Sequence, residues 1–306
     1  MNNMLETKMF GVTFNNPVFS ASGTFGYGRD YIDYIKPHEL GAVVTKGTSI
    51  TEWIGNPPPR VYETASGMLN SIGLQNPGIE HFLDQDLPFL KKQNAKVILN
   101  VVGHTQKEYE EVVKQCQNQE GIHALEINIS CPNVTEGGMA FGTDPEVAYK
   151  LLKSLKNISN IPLIAKLSPN VTDIIEIAKA CEAAKVDSIS LINTLSGIAI
   201  DIDTQKPILG NIYGGLSGPA IKPVALKMVY QVSQAVSLPI IGMGGIANGK
   251  DAIEFFLAGA SAVQVGTSIF VDPQVHKKLI EEIELYLDKQ SYSNITEIVG
   301  LSWKGN

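Results

Sequence analysis

Leu163-Ile-Ala-Lys-Leu167, then Val171-Thr-Asp-Ile-Ile-Glu-Ile-Ala-Lys-Ala-Cys-Glu-Ala-Ala184, then Ser188-Ile-Ser-Leu-Ile192 decide the fold of this chain. A short apolar run, a longer helical pattern and a second short apolar run describe a strand, a crossover helix and a strand lying parallel to the first. The same alternation extends to both ends of the sequence. Strands are expected near Val18 to Ser22, Ala42 to Lys46, Val97 to Val101, Ala124 to Ile129, Pro239 to Met243 and Ala262 to Val265. Further helices are expected over Gln106 to Cys116, Pro145 to Leu155, Ala220 to Ala235, Lys250 to Leu257 and Gln274 to Leu287. Repeated βα units across 306 residues, with no Pro/Ser linker between them, predict one domain over residues 1–306, an α/β chain closed as a (β/α)₈ TIM barrel. The segment Phe10 to Asn16 reads as a small N-terminal hairpin at the barrel bottom.

A composition of 44% hydrophobic and 18% charged residues suits a chain with a sizeable core. The net charge of -7 gives no footprint for a phosphate backbone, so no nucleic-acid partner is expected. No apolar run approaches the roughly 18 residues of a membrane span, and Met1 to Phe10 lacks the apolar core of a signal peptide. A cytoplasmic protein without a membrane partner is therefore expected. The three cysteines, Cys116, Cys131 and Cys181, are widely spaced and lack a CxxC pair, which fits reduced thiols. They cannot supply Cys₄ ligation for an iron-sulfur cluster, and no metal site is expected.

Two connections are too long for bare loops, Gly47 to Lys96 after the second strand and Asn193 to Gly218 after the sixth, and both are expected to fold over the catalytic face as lids. In a barrel the inward residues at the C-terminal strand ends line the active site. Here those ends carry Ser22, Lys46, Asn100, Asn128 with Ser130, Lys166 and Asn193. Asn128 alone reads equally well as a satisfied core amide. A core closed on itself, however, would not place a polar group on so many strand ends, since each one left unpaired costs about 1–3 kcal/mol. A large polar ligand in the mouth satisfies them together.

Gly242-Met-Gly-Gly245 and Gly266-Thr267 end the last two strands, where barrels commonly hold a phosphate on loop amides. Gly242 to Ala247 also fits the dinucleotide pattern G-x-G-x-x-A, but that pattern belongs after the first strand of its unit. Cys116 and Cys181 lie within helical patterns and read as core residues. Cys131 follows a strand end in Asn128-Ile-Ser-Cys-Pro-Asn133, on a loop continuing through Gly137-Gly138, where a thiol can serve as nucleophile or base.

Taken with Lys46-Gly-Thr48, Asn70-Ser-Ile-Gly-Leu74, Lys166-Leu-Ser-Pro-Asn170, Asn193-Thr194 and Gly214-Gly-Leu-Ser-Gly218, these motifs resemble those of the class 1 dihydroorotate dehydrogenases over nearly the whole chain. Gly55-Asn-Pro-Pro-Pro-Arg60 through Gln75-Asn-Pro-Gly78 is more similar to the NAD-linked class 1B catalytic subunit than to the fumarate-linked class 1A. Gly47 departs from the pattern, in which alanine is expected. The resemblance implies one FMN per chain, touched by Ser22, Lys46, Gly47, Asn100, Asn128, Lys166, Ile192, Gly218, Gly244, Gly245, Gly266 and Thr267. It implies dihydroorotate or orotate held by Lys46, Asn70, Ser71, Ile72, Gly73, Leu74, Asn128, Asn133, Asn193 and Thr194, with Cys131 as the base. It further implies a homodimer core within a heterotetramer, whose electron-transfer subunit carries FAD and a [2Fe-2S] cluster and passes electrons to NAD. Three other readings stay open: a fumarate-dependent class 1A enzyme, a flavin-binding scaffold without chemistry, and a non-redox barrel acting on a sugar phosphate.

Overall fold

The computed structural model describes residues 4–130, 135–136 and 139–304, with only the backbone described at 135, 136, 139 and 140. Eight strands form one parallel sheet: β1 (Val18–Ser20), β2 (Val43–Val44), β3 (Val97–Val101), β4 (Ile122–Asn128), β5 (Leu163–Lys166), β6 (Ser188–Leu191), β7 (Ile240–Met243) and β8 (Ala262–Val265). Each strand pairs with its sequence neighbours, in the order β1-β8-β7-β6-β5-β4-β3-β2. The ring closes between β1 and β2, where the Gly41 amide donates to the Val18 carbonyl at 2.9 Å and Ser20 to Ala42 at 3.1 Å. The expected barrel is thus formed.

The helices between strands start where a side chain can accept the first free amides. Thr105 caps Gln106–Cys116, Asp144 caps Pro145–Ile158, Asp173 caps Ile174–Ala183 and Asn248 caps Gly249–Ala258. The third of these begins three residues later than its apolar pattern predicts, because the Asp173 carboxylate takes the Ile175 amide at 2.8 Å. Their apolar faces and the outer side of the sheet form the main core. Among the described residues no helix is long and apolar enough to cross a membrane.

Thr7–Met9 and Val12–Phe14 pair as an antiparallel hairpin, turned at Phe10 and Gly11, both with positive φ. It lies in the segment before the first strand, around the expected Phe10. Met9 and Phe14 reach into the barrel bore and pack with Phe19, Val44, Ile98 and Ile241, so the hairpin plugs the lower end as expected. The two long connections, read separately as lids, merge into one antiparallel sheet: Leu195–Ile198 beside Tyr213–Ser217, then Gly67–Asn70, then Val61–Thr64. Leu69 lies opposite Leu216 and Asn70 opposite Gly215.

Candidate functional site

The barrel interior is layered by the two-residue period of its strands. Lowest are the apolar residues Ala42, Val44, Ile98, Ala124, Ile164, Ile241 and Ala262, sealed by the hairpin. Two residues further along the strands the bore turns polar, with Asn100, Glu126, Lys166, Ser190 and Gln264, all buried. Glu126, with no exposed surface, is the centre of this layer. Its Oε1 accepts from Asn100 Nδ2 at 2.7 Å and stands 3.7 Å from Lys166 Nζ; its Oε2 accepts from Ser190 Oγ at 2.8 Å and from Gln264 Nε2 at 2.7 Å. A lone charge could not be kept at this depth; here a cation and three hydrogen bonds compensate it.

Above this layer lies a cavity of about 560 Å³ between the strand ends and the lid sheet. Most residues singled out from the sequence line it. Ser22, Lys46, Gly47, Asn128, Lys166, Ile192, Asn193, Thr194, Gly244, Gly245, Gly266 and Thr267 come from the barrel loops, and Asn70, Ser71, Ile72, Gly73, Leu74 and Gly218 from the lid side. Asn100 does not itself line the cavity; it lies in the same buried layer as Lys166 and Gln264, its amide reaching Glu126. Cys131 and Asn133 lie outside the described residues. Residues given no ligand role from the sequence also line the cavity: Gln264 in the floor, Asn170 on the loop after β5, and Asn56, Tyr213 and Ser217 at the lid side, with Asn56, Asn170 and Ser217 inside motifs quoted above. Of these, Gln264 had a legible signal, being the polar residue of the apolar run Ala262–Val265.

The hydrogen bonds show what each wall residue keeps for a ligand. Asn128 Oδ1 accepts from the Ser130 amide and hydroxyl, and its carbonyl accepts from Tyr109 Oη at 2.8 Å, which leaves its Nδ2 to donate. Asn193 is held on both sides, Nδ2 donating to Ser130 Oγ and Oδ1 accepting from the Thr194 amide. Asn70 Nδ2 donates to the Gly215 carbonyl at 3.3 Å, and its Oδ1 has no donor among the described residues. Asn170 joins the β5 loop to the lid, donating to Thr194 O at 3.0 Å and accepting from the Ser196 amide at 3.0 Å. Asn56 bonds Ser71 through Nδ2, and Arg60 bonds Gln75. The lid is therefore a braced wall.

Lys46 makes no ion pair among the described residues, and burial, then the nearby charge of Arg60, hold its pKa below the lysine norm. An anion beside it would relieve both effects. At the ends of β7 and β8, the backbone amides of Gly245, Ile246 and Thr267 have no acceptor among the described residues. A side chain at Gly245, where φ is +73°, would meet Gly218 O at 2.8 Å and the Lys222 amide at 2.9 Å, so glycine alone lets these loops close around a ligand. Thr267 Oγ1 donates to Ser217 Oγ at 2.8 Å and ties this loop to the lid sheet. Cys116 and Cys181 are core residues, as expected, their thiols pushed up to about 12 by burial.

The site therefore combines unpaired amides at one side, a cation without a counter-ion at another, and a floor of fixed amide groups. Known proteins resemble this chain over nearly its whole length. The family model for dihydroorotate dehydrogenase matches residues 4–287. A dihydroorotate dehydrogenase B (NAD(+)), catalytic subunit, from Geobacillus sp. (strain WCH70) is 53% identical over 302 residues, 99% of this chain and 96% of that protein. One of the same description from Alkaliphilus metalliredigens (strain QYMF) is 54% identical over 296 residues, 97% of this chain and 98% of its own length.

Proposed function

Because the chain belongs to the dihydroorotate dehydrogenase family, we propose that it oxidises (S)-dihydroorotate to orotate in de novo pyrimidine synthesis, on an FMN held at the barrel mouth. The observation that carries this is the site itself: among the described residues the buried side-chain oxygens of Gln264, in the cavity floor, and of Asn100, beside it in the same layer, have no donor, the amides of Gly245, Ile246 and Thr267 have no acceptor, and Lys46 has no anion. These are the needs that a ring N–H, a phosphate and a carboxylate would meet.

FMN, when bound, would supply a hydride acceptor for C6 of the substrate. The chain does the rest. Gly218, Gly244, Gly245, Gly266 and Thr267 would hold the phosphate, and Ser22, Gly47, Asn100, Asn128, Lys166 and Ile192 the ring system. Lys166 supplies the positive charge that favours a reduced, anionic ring. Asn70, Asn128, Asn193 and Thr194 would orient the substrate's amide groups, Lys46 would face its carboxylate, and Ser71 to Leu74, with Asn133, would complete the enclosure. Cys131 would take the proton from C5. The braced lid keeps water from the exchange.

The electrons then leave through a second subunit carrying FAD and a [2Fe-2S] cluster, with NAD as the final acceptor, in a cytoplasmic heterotetramer built on a homodimer of this chain. What supports this reading is the NAD(+)-type naming of the relatives together with a chain of only three cysteines. The test is the purified chain assayed alone and with the electron-transfer subunit. It should be yellow, release FMN on denaturation, oxidise dihydroorotate with artificial acceptors and form NADH only with the partner present. A correctly folded chain that takes up no FMN would end the reading, and efficient turnover with fumarate would replace NAD by the class 1A acceptor.

A further inference from the structure

Glu126 is buried in the bore and takes no part in the cavity wall, yet it dictates what the floor of the cavity presents. A carboxylate offers about four lone-pair sites. Asn100, Lys166, Ser190 and Gln264, from four different strands, are gathered around all of them. None is left for a ligand.

An amide that donates through its nitrogen turns its oxygen the other way. Asn100 Oδ1 and Gln264 Oε1 are both buried and without a partner among the described residues. Gln264 lines the cavity, and Asn100 Oδ1 lies only 3.1 Å from where a side-chain carbon on Gly47 would stand, at the cavity wall. A buried acceptor without a donor is unfavourable by about 1–3 kcal/mol, so two of them in the layer beneath the cavity call for a ligand that donates there.

The geometry points to Glu126 as a positioning residue of the flavin floor. By taking the donor side of Asn100 and Gln264 it makes the floor an acceptor surface, which selects a ligand that turns an N–H donor toward it. By standing beside Lys166 it also tempers the cation that faces the reduced ring. This rests on the FMN reading above, since N3–H, the one donor on the pyrimidine edge of a flavin, is the group such a floor would take. In Glu126→Gln the negative charge is gone and the new amide nitrogen cannot accept. Asn100 or Gln264 must then turn over to accept from it, and its own nitrogen comes to face the cavity.

The experiment uses the full chain as wild type, Glu126→Gln and Gln264→Leu, and measures the dissociation constant of FMN and the midpoint potential of the bound flavin. Glu126→Gln should bind FMN about tenfold more weakly or worse, and its potential should move positive, because a negative charge that disfavoured the reduced anion has been removed. Gln264→Leu, which keeps the carboxylate, should weaken FMN binding similarly with a smaller change in potential. Wild-type affinity and potential in both variants, with only the melting temperature lowered, would make Glu126 merely structural and overturn the proposal. Should Glu126→Gln fail to fold, Gln264→Leu decides alone, and wild-type affinity there sinks it. If the wild-type chain itself takes up no FMN, the FMN reading falls first and this inference with it.

Discussion

At the lower end of the barrel Met9 and Phe14 fill the bore against Phe19, Val44 and Ile98, while at the upper end the bore holds a carboxylate with its donors and then opens into a cavity. The apolar end satisfies itself, since every group there gains from contact with its neighbours. The polar end leaves oxygens and amides without a partner among the described residues. One barrel thus keeps stability and chemistry at opposite ends, and a change at one end should be felt mainly in the matching measurement.

The sharpest way to break that separation is at Cys131. If the upper end carries chemistry alone, Cys131→Ala should fold with the wild-type melting temperature and keep its FMN. Reduction of that flavin by dihydroorotate should slow by about 10² to 10⁴, the range of general-base catalysis. Cys131→Ser should recover part of the rate at high pH. Stopped-flow flavin bleaching measures this directly, and a wild-type rate in the alanine variant would pass the role of base to another residue.

The complementary change is Phe14→Ala. Phe14 is fully buried, its ring 4.9 Å from that of Phe19 and 5.7 Å from that of Phe10. Deleting it should lower unfolding stability by about 3–5 kcal/mol, read from denaturant midpoints, while the protein that remains folded turns over with an unchanged KM. A raised KM at full stability would mean that the plug supports the mouth after all.

How much of this was legible in the sequence follows the same division. The strands, the plug and most of the cavity wall were readable because each depends on local pattern: apolar runs, turn residues, and polar groups at strand ends. Two features were not. The lid sheet pairs Gly67–Asn70 with Tyr213–Ser217, segments so distant that no local signal reports their register. The Glu126 cluster draws its donors from four strands, so it exists only once the barrel has closed. Asn100 was placed at the mouth for the same reason: its position along β3 was readable, its depth was not. The boundary at Asp173, by contrast, was present in the sequence as a capping residue inside an apolar pattern that hid it.

The smallest expected effect lies at Arg60 and concerns the pH at which the mouth loses its charge. Lys46 is held below the ordinary lysine value of 10.5, first by burial and second by Arg60. In the pH window between that lowered pKa and the ordinary one, the unfolded chain binds the proton that the folded chain has released, so this group makes stability rise with pH. An anionic ligand reverses the preference, since it favours the charged lysine. Affinity for orotate should therefore fall as pH rises through the lowered pKa of Lys46. Arg60→Gln removes the lesser cause, and should move this alkaline limb upward, toward ordinary lysine, by less than burial holds it down. Orotate titrations of the bound flavin's spectrum across the alkaline range would measure the limb in wild type, Arg60→Gln and Lys46→Met. A limb that stays in place in Arg60→Gln, or persists in Lys46→Met, takes Lys46 out of the anion's grip and leaves the charge of the mouth to Lys166.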